Sequence, residues 1–222
     1  MRVLRDEKTG LVWVTPETIA IKASGEKVFS AEDAKLVREF QMELDTFDSE
    51  NIKKYVTGQN FKLGEFMSAC VDKHNSQYYA FDDGRLVATV LIDSKAPLVE
   101  EEQLATYAIF CEMKGVQGIE GYLSLKDAKR ALDNDRQNNN SIIEFLAVSP
   151  NHQGRGVGTR AVMSIDQNLD FFSGNVPHNV VSTRINRQNI ASLKAFKRNG
   201  FETIYNHYAN EFNGTADYFK VK

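Results

Sequence analysis

The sequence predicts a mixed α/β chain in which short strands alternate with amphipathic helices. The last third of the chain, from Ile142, consists of a strand, a glycine loop, a helix, a strand, a helix and two further strands. Upstream, "QYYAFDDGRLVATVLID" holds two β-rich runs joined at Asp83-Gly84, a dipeptide that suits the positive φ angles of a tight hairpin turn. A sheet flanked by helices accounts for both observations.

Three segments ahead of this hairpin have a clear periodicity. "TIAIK" at 18–22 alternates as a strand does. "SAEDAKLVREFQMEL" at 30–44 predicts a helix with Ser30 as its N-cap, and "FKLGEFMSACVDKH" at 61–74 places its apolar residues on one helical face. Residues 94–140 are less regular, and we interpret them as an insertion with one helix, in "LKDAKRALDNDRQ".

The final third defines its elements more sharply. "IIEFLAVS" is a predicted strand that leads to the predicted helix "VGTRAVMSIDQNLDFF". "NVVSTRI" is the next predicted strand, and it leads to the predicted helix "RQNIASLKAFKRNG". Gly200 stands where the left-handed residue after a helix belongs. "FETIYNHYAN" and "GTADYFKV" predict a closing hairpin. Because no repeat or linker interrupts the chain, we expect one domain over residues 1–222, with the insertion at 94–140.

The charge balance and the cysteine content argue against nucleic-acid binding, a disulfide framework and a zinc site. With 27 basic and 30 acidic residues the net charge is −3, which argues against a protein that coats nucleic acid, although a small phosphorylated ligand needs only a local positive group. Cys70 and Cys111 lie far apart in apolar surroundings, which favours reduced core residues over a disulfide or zinc site. We expect no metal.

The N-terminus and the apolar runs indicate where the protein acts. "MRVLRDEKTG" has no apolar signal region, and the longest apolar run, "LVATVLI", is too short to cross a bilayer. We therefore expect a cytoplasmic protein with no membrane partner.

The loop "NHQGRGVG" at 151–158 has the chemistry of an anion site. The first N–H groups of a helix lack intrahelical partners and carry partial positive charge. Gly156 and Gly158 let the backbone curl so that successive N–H groups converge on one phosphate, and Arg155 and Arg160 would add charge.

Three sequence patterns of phosphate-binding loops can be compared with this segment. A Walker A loop ends in GK[ST], which "GVGTR" lacks. The dinucleotide pattern G-x-G-x-x-G fails because, after Gly154 and Gly156, the third glycine comes at 158, one residue early. The pattern Q-x-x-G-x-G is matched by Gln153, Gly156 and Gly158.

Two motifs resemble those of one family. "FLAVSPNHQGRGVGTRAV" is similar to the acetyl-CoA-binding motif of the GNAT N-acetyltransferase superfamily. "NIASLKAFKRNGF" resembles that family's next segment, N-x-x-[AS]-x-x-x-[YF]-x-x-x-G-F, in the right order and spacing. The resemblance implies acetyl-CoA as cosubstrate. It also implies a mixed, mostly antiparallel sheet flanked by helices, with two splayed central parallel strands at the coenzyme A site.

The resemblance further implies the coenzyme-binding residues. Loop amides would hold the pyrophosphate, Leu146 and Val148 would pair with the pantetheine through their main chain, and Asn189 matches the family's pantetheine-contacting asparagine. A backbone N–H near Leu146 or Ala147 would polarise the thioester carbonyl. The full set of implied coenzyme-binding residues is Leu146, Ala147, Val148, Gln153, Gly154, Arg155, Gly156, Val157, Gly158, Thr159, Asn189 and Phe196.

Two residues are candidates for the chemistry itself. An acceptor amine with a pKa near 10.4 must lose a proton, and Glu144 is the candidate base, since alternation puts it on one strand face with Leu146 and Val148. The competing interpretation is that Glu144 faces solvent or forms an internal ion pair. Phe196 stands where the family often has a tyrosine acid, and we expect it to pack beside the acetyl or thiol end without a proton role.

The predicted function is that of an acetyl-CoA-dependent N-acetyltransferase, which acetylates a primary amine of a small molecule or peptide by direct attack in a ternary complex. One alternative is a non-catalytic coenzyme A-binding module that acts as a sensor or partner. Another is an acyltransferase that uses a longer acyl chain. The acceptor stays open, and so does the oligomeric state, with a homodimer as one option.

Overall fold

The computed structural model describes residues 3–15, 75–94, 101–118, 122–137, 139–174, 178–203 and 215–222. The predicted strand at 18–22, the predicted helices at 30–44 and 61–74, and Cys70 lie outside these residues. The chain divides into two compact units. The first contains Met1–Leu91 and Phe145–Phe171, and the second contains Ile92–Glu144 and Phe172–Lys222.

The described residues form eight strands and five α-helices. The strands are β1 (Val3–Asp6), β2 (Leu11–Val14), β3 (Asn75–Asp82), β4 (Arg85–Asp93), β5 (Asn140–Val148), β6 (Val180–Asn186), β7 (Glu202–Thr203) and β8 (Thr215–Val221). The helices are α1 (Glu101–Lys114), α2 (Leu125–Arg136), α3 (Val157–Gln167), α4 (Leu169–Phe172) and α5 (Ile190–Arg198). None of these helices has the length and apolarity needed to cross a membrane.

In the first unit the strands follow the order β1-β2-β3-β4-β5, with β1 antiparallel to β2 and β2 antiparallel to β3. The predicted hairpin is confirmed: β3 and β4 are joined at Asp83 (φ 49°) and Gly84 (φ 73°), the two positive φ angles that a two-residue hairpin turn requires. β4 is buried along most of its length, which explains why it is apolar at every position from Leu86 to Ile92 except Thr89.

The β1–β2 hairpin was not among the predicted elements. Its turn is organised by Asp6, whose Oδ1 accepts the backbone N–H groups of Lys8 (3.0 Å) and Thr9 (3.3 Å). β2 then buries Trp13, whose indole N–H donates to Ser164 Oγ on α3 at 2.9 Å. The hairpin is thereby fixed to the helix that follows the glycine loop.

The helix predicted over 157–172 is divided in the structure. α3 ends at Gln167 because Asn168 leaves helical geometry (φ −118°, ψ 35°). Its side-chain N–H groups donate to Ser164 O at 2.9 Å and to Asp6 Oδ2 at 3.3 Å. A tertiary contact with the β1–β2 turn thus accompanies the break, and local periodicity cannot reveal such a contact.

In the second unit the strand order is β5-β6-β8-β7. β5 and β6 are parallel, whereas β8 is antiparallel to both β6 and β7. The sheet is therefore mixed and mostly antiparallel with one parallel pair and flanking helices, which confirms the predicted fold class. Of the predicted closing hairpin, the described residues show β7 antiparallel to β8, with β8 lying between β6 and β7. The rest of its first predicted strand and its turn, residues 204–214, lie outside the described residues.

The parallel register covers only the start of both strands. Asn140, Ser141 and Ile142 pair with Val180, Val181 and Ser182, and both strands continue past these positions. Immediately beyond them, the Thr183 hydroxyl donates to the Ile143 carbonyl at 3.0 Å. A side chain takes the place of a backbone donor there, where the resemblance implies that the strands begin to splay.

Residues 94–140 contain two helices rather than the one predicted. α2 matches the predicted helix and begins with Ser124, whose Oγ accepts the Asp127 N–H at 3.1 Å. α1 begins at Glu101, within the acidic run, and was not predicted. Cys111 is free and buried, as expected. The helices share one core with strands β6 and β8, formed by Tyr107, Cys111, Leu123, Ala128, Ala131, Leu132, Val180 and Phe219.

Candidate active site

β5 presents two unequal faces. On one face Ile143 and Ala147 are buried and Phe145 is half-buried, while on the other Glu144 is exposed and Leu146 and Val148 are half-buried. The strand alternation that predicted a common face for Glu144, Leu146 and Val148 is therefore observed. This is the less covered side of the strand.

A glycine loop connects β5 to α3. After a short 3-10 turn at Pro150–His152, the Gln153 side-chain N–H groups donate to Val148 O at 3.2 Å, which ties the loop back to the end of β5. His152 Nδ1 is hydrogen-bonded to Ser149 Oγ at 3.2 Å, so this ring is engaged in the turn.

The loop backbone is shaped to surround an anion. Gly154 (φ 74°) and Gly156 (φ 79°) both adopt left-handed geometry, and Gly156 is the N-cap of α3. Alternation of left- and right-handed residues turns successive N–H groups toward one point, the arrangement known as a nest. The first helical hydrogen bond runs from Arg160 N to Gly156 O at 3.0 Å, so the amides of residues 157–159 precede it.

The space around the glycines differs. A Cβ built on Gly154 or Gly156 meets no described atom within 4 Å, whereas one on Gly158 lies 3.6 Å from Val148 Cγ2. Gly154 and Gly156 therefore border open space, and Gly158 lies against the end of β5.

The two arginines near the loop have different surroundings. Arg155 is exposed. The Arg160 guanidinium donates to the Thr9 carbonyl at 2.9 Å and forms an ion pair with Asp82. Arg160 thus connects α3 to the β1–β2 turn and to β3.

The candidate base Glu144 has a distinctive electrostatic environment within the second unit. Water reaches its side chain, yet partial burial of the carboxylate among protein groups raises its pKa above the ordinary 4.5. The negative charge of Asp93 raises the pKa further, and the positive charge of Arg184 lowers it. A carboxyl group with a raised pKa is better suited to accept a proton near neutral pH.

Arg184 belongs to a cross-strand ion pair. It faces Asp217 in the β6–β8 register, and its Nε and Nη2 donate to the two carboxylate oxygens at 2.8 Å and 3.4 Å. Sequence reasoning missed Arg184, Asp217 and Asp93. The available signal was Arg184 itself, a charge inside the apolar strand "VVSTRI".

α1 and α2 lie on the same sheet face as Glu144. Cross-strand partners share a face, and Ile142, Val180 and Phe219, which pack against the two helices, belong to one such set. Glu144 is two residues beyond Ile142 and therefore on that face. The two helices of residues 94–140 therefore pack on the sheet face that bears Glu144 and Arg184.

The remaining predicted residues lie on α5, in the second unit. Asn189 is the helix N-cap, and its Oδ1 accepts the Ser192 N–H at 3.1 Å. Phe196 is 3% exposed and packs edge-to-face on Phe201, with ring centroids 5.0 Å apart. Gly200 has φ +79°, which confirms it as the left-handed residue after the helix.

Most of the chain, including the glycine loop and α5, matches a known family. The model of the GNAT acetyltransferase family matches residues 39–201 of the chain. The chain belongs to the GNAT acetyltransferase family. This enzyme is thus of the acetyl-CoA-dependent N-acetyltransferase class, and the predicted family and enzyme class are confirmed.

Solved structures share this GNAT fold at low sequence identity. RimL, a ribosomal L7/L12 alpha-N-protein acetyltransferase in complex with coenzyme A, is 11% identical with a TM-score of 0.54, covering 99% of this chain and 98% of its own. The GNAT domain of S. lividans PAT is 11% identical with a TM-score of 0.52, covering 100% and 96%. Aminoglycoside acetyltransferase AAC(6')-Ib with coenzyme A is 12% identical with a TM-score of 0.51, covering 96% and 94%. Among curated proteins, no sequence matches this chain.

Proposed function

We propose that this GNAT enzyme transfers the acetyl group of acetyl-CoA to a primary amine of a small molecule or peptide, by direct attack in a ternary complex. The observation that carries the proposal is the glycine nest at the end of β5, the strand that also bears Glu144. A cytoplasmic site of action agrees with the free, buried Cys111.

The loop residues suit the anionic part of the coenzyme. Backbone N–H groups from Gln153 to Thr159 would hold the pyrophosphate, aided by the dipole of α3 and the exposed Arg155. The open space beside Gly154 and Gly156 allows a phosphate group to approach the backbone. These features support the assignment of Gln153, Gly154, Arg155, Gly156, Val157, Gly158 and Thr159 to coenzyme binding.

The β5 main chain and Asn189 would hold the pantetheine. Leu146 and Val148 lie on the half-buried face of the strand. The side-chain oxygen of Asn189 accepts a hydrogen bond as a helix cap. Its side-chain nitrogen has two N–H groups, which could donate to an amide carbonyl of the pantetheine. Phe196 would contribute apolar surface.

Glu144 would take the proton of the acceptor ammonium group, directly or through one water. Acetyl-CoA supplies an activated acetyl thioester with a thiol leaving group. The N–H of Leu146 or Ala147 would polarise the thioester carbonyl while the amine nitrogen forms its bond to the carbonyl carbon and the carbon–sulfur bond breaks. Coenzyme A leaves as its thiolate, which is a tolerable leaving group because the thiol has a pKa near 8.5, and the thiolate then takes up the second proton that the attacking nitrogen loses. Phe196 therefore needs no proton role.

The acceptor would approach the Glu144 face beside α1 and α2. These helices pack on that face of the second unit's sheet, against Val180 and Phe219. The insertion would thereby form a wall of the acceptor site, and its sequence would influence which amine is used.

A non-catalytic coenzyme A-binding module is the second candidate. Phe196, in place of the tyrosine acid frequent in this family, is the observation that favours it. The two functions differ in turnover. We expect acetyl-CoA with a panel of amines to give steady, amine-dependent release of free thiol well above hydrolysis. Coenzyme A binding without such release from any amine would favour the module. Replacing acetyl-CoA by longer acyl-CoAs in the same assay tests the acyl-chain preference.

A further inference from the structure

We propose that Arg184, held in place by Asp217, is a positioning residue that keeps the Glu144 carboxylate in its ionised, proton-accepting form. This inference rests on the proposed role of Glu144 as base, and it adds two residues to the machinery of the reaction. Neither residue belongs to the glycine loop or to the two sequence motifs.

The register of the second unit supplies the geometry. Ile142 of β5 and Ser182 of β6 are partners, and Glu144 and Arg184 each lie two residues further along parallel strands, on the same face. Arg184 and Asp217 are partners across β6 and β8, with both guanidinium contacts made to one carboxylate. The three charged side chains therefore lie on one face of three neighbouring strands, with Glu144 and Arg184 two residues beyond the last β5–β6 pair.

The exposures of the pair indicate how it works. The Asp217 side chain is 23% exposed, while that of Arg184 is 71% exposed. Asp217 thus provides a less exposed anchor, and Arg184 provides a positive charge that water screens strongly, so its expected effect on Glu144 is small. A purely structural ion pair at such exposure contributes little to stability.

The charges that act on Glu144 oppose each other. Asp93, at the end of β4, disfavours the ionised carboxylate, and Arg184 favours it. Asp217 competes with Glu144 for the same guanidinium. Removal of Arg184 should therefore make Glu144 harder to ionise, whereas removal of Asp217 or Asp93 should make it easier.

The test is the pH dependence of kcat/KM, whose acid limb reports ionisation of the base in the free enzyme. We expect Arg184→Gln to move that limb to higher pH, with a loss of about two- to fivefold below its midpoint and no loss on the plateau. Asp217→Asn and Asp93→Asn should each move it to lower pH. Arg198→Gln, which removes an exposed positive charge on α5, is the matched control and should leave the limb in place.

A charge swap separates positioning from structure. The double variant Arg184→Asp with Asp217→Arg retains an opposite-charge pair between β6 and β8 but puts a carboxylate beside Glu144. We expect its acid limb to move to higher pH, as in Arg184→Gln or further. A wild-type profile in both Arg184→Gln and the swap, in proteins that unfold at wild-type denaturant concentrations, overturns the proposal.

Glu144→Gln separates the role of Glu144 as the base from the role of Arg184 as its positioning residue. If this variant loses the acid limb while the Arg184 variants keep the wild-type limb, the inference about Arg184 is wrong and the base assignment stands. If Glu144→Gln keeps both turnover and limb, the base assignment itself is wrong, and the inference about Arg184 is overturned with it.

Discussion

Replacement of Gly156 by alanine should weaken acetyl-CoA binding without loss of the fold. Gly156 has φ +79° at the N-cap of α3, and a Cβ added there enters the open space where we place the pyrophosphate. The substitution therefore has two separable effects. One is backbone strain, and the other is obstruction of the ligand.

The strain can be measured at a second glycine. Gly84 in the β3–β4 turn has φ +73°, and a Cβ built on it also meets no described atom within 4 Å. A left-handed non-glycine residue costs about 1–2 kcal/mol, so Gly84→Ala and Gly156→Ala should lose similar unfolding free energies. Only Gly156→Ala should also lose affinity.

The affinity loss follows from the hydrogen bonds to the phosphate. Hydrogen bonds to a charged group contribute about 1.5–3 kcal/mol each, so displacement of one should weaken binding by roughly tenfold or more. Denaturant unfolding gives the stability of both variants, and titration calorimetry with acetyl-CoA gives the affinity. Equal acetyl-CoA affinities for the two folded variants would refute the placement of the pyrophosphate at Gly156.

Three further substitutions test the site and the fold. Glu144→Gln should lower turnover by about 10²-fold or more with partial recovery at high pH, where more acceptor is neutral. It should not lower the unfolding free energy at neutral pH. The pKa of Glu144 is raised above 4.5 in the folded protein, so the fold favours the protonated carboxyl, and this contribution to stability is lost as pH rises through the folded pKa. Turnover within about twofold of wild type would make Glu144 structural. Phe196→Tyr should cost about 1–3 kcal/mol of stability for a buried hydroxyl but hold or raise turnover, and a large loss of acetyl-CoA affinity would contradict the motif alignment. Burial raises the Asp6 pKa, but hydrogen bonds with Ser164, Thr9 and Lys8 outweigh it and hold the pKa below 3.8. The stability from Asp6 is therefore present above that value and lost as pH falls through the folded pKa. Asp6→Asn should accordingly destabilise the protein at neutral pH, and denaturant unfolding should show a gap to wild type that narrows in acid; a constant gap would point to packing alone.

Features encoded by neighbouring residues were predictable from the sequence. The Asp83-Gly84 turn, the left-handed Gly200 and the glycine loop each depend on a few consecutive residues whose backbone preferences are strong. The α/β character followed because strand and helix periods occur in turn along the last third of the chain, whereas the mostly antiparallel sheet with one parallel pair was implied by the family resemblance of the two motifs.

Features that depend on distant contacts were not predictable. The helix break at Asn168 coincides with a hydrogen bond to Asp6, far away in sequence. β1 and β2 are four residues each, too short for a clear alternation. α1 leaves Ile109 and Met113 exposed, which obscures the apolar stripe of an ordinary surface helix.

The candidate site divides in the same way. The loop residues and the face of Glu144 could be inferred from motif and alternation. The charged groups on that face could not, because Arg184 and Asp217 reach the face of Glu144 only through the register of β5, β6 and β8. Register is a tertiary property that one strand does not encode.

The most direct test of the assigned roles is the split between kcat and KM in amine acetylation, measured for wild type, Gly156→Ala and Glu144→Gln with the best acceptor from an amine panel. Free-thiol release gives the rates, and mass spectrometry of the amine confirms the acetyl product. We expect Gly156→Ala to raise KM for acetyl-CoA with kcat largely retained, and Glu144→Gln to lower kcat with that KM largely retained. Wild-type values of both constants in both variants would contradict the assignment of the loop to coenzyme binding and of Glu144 to proton removal.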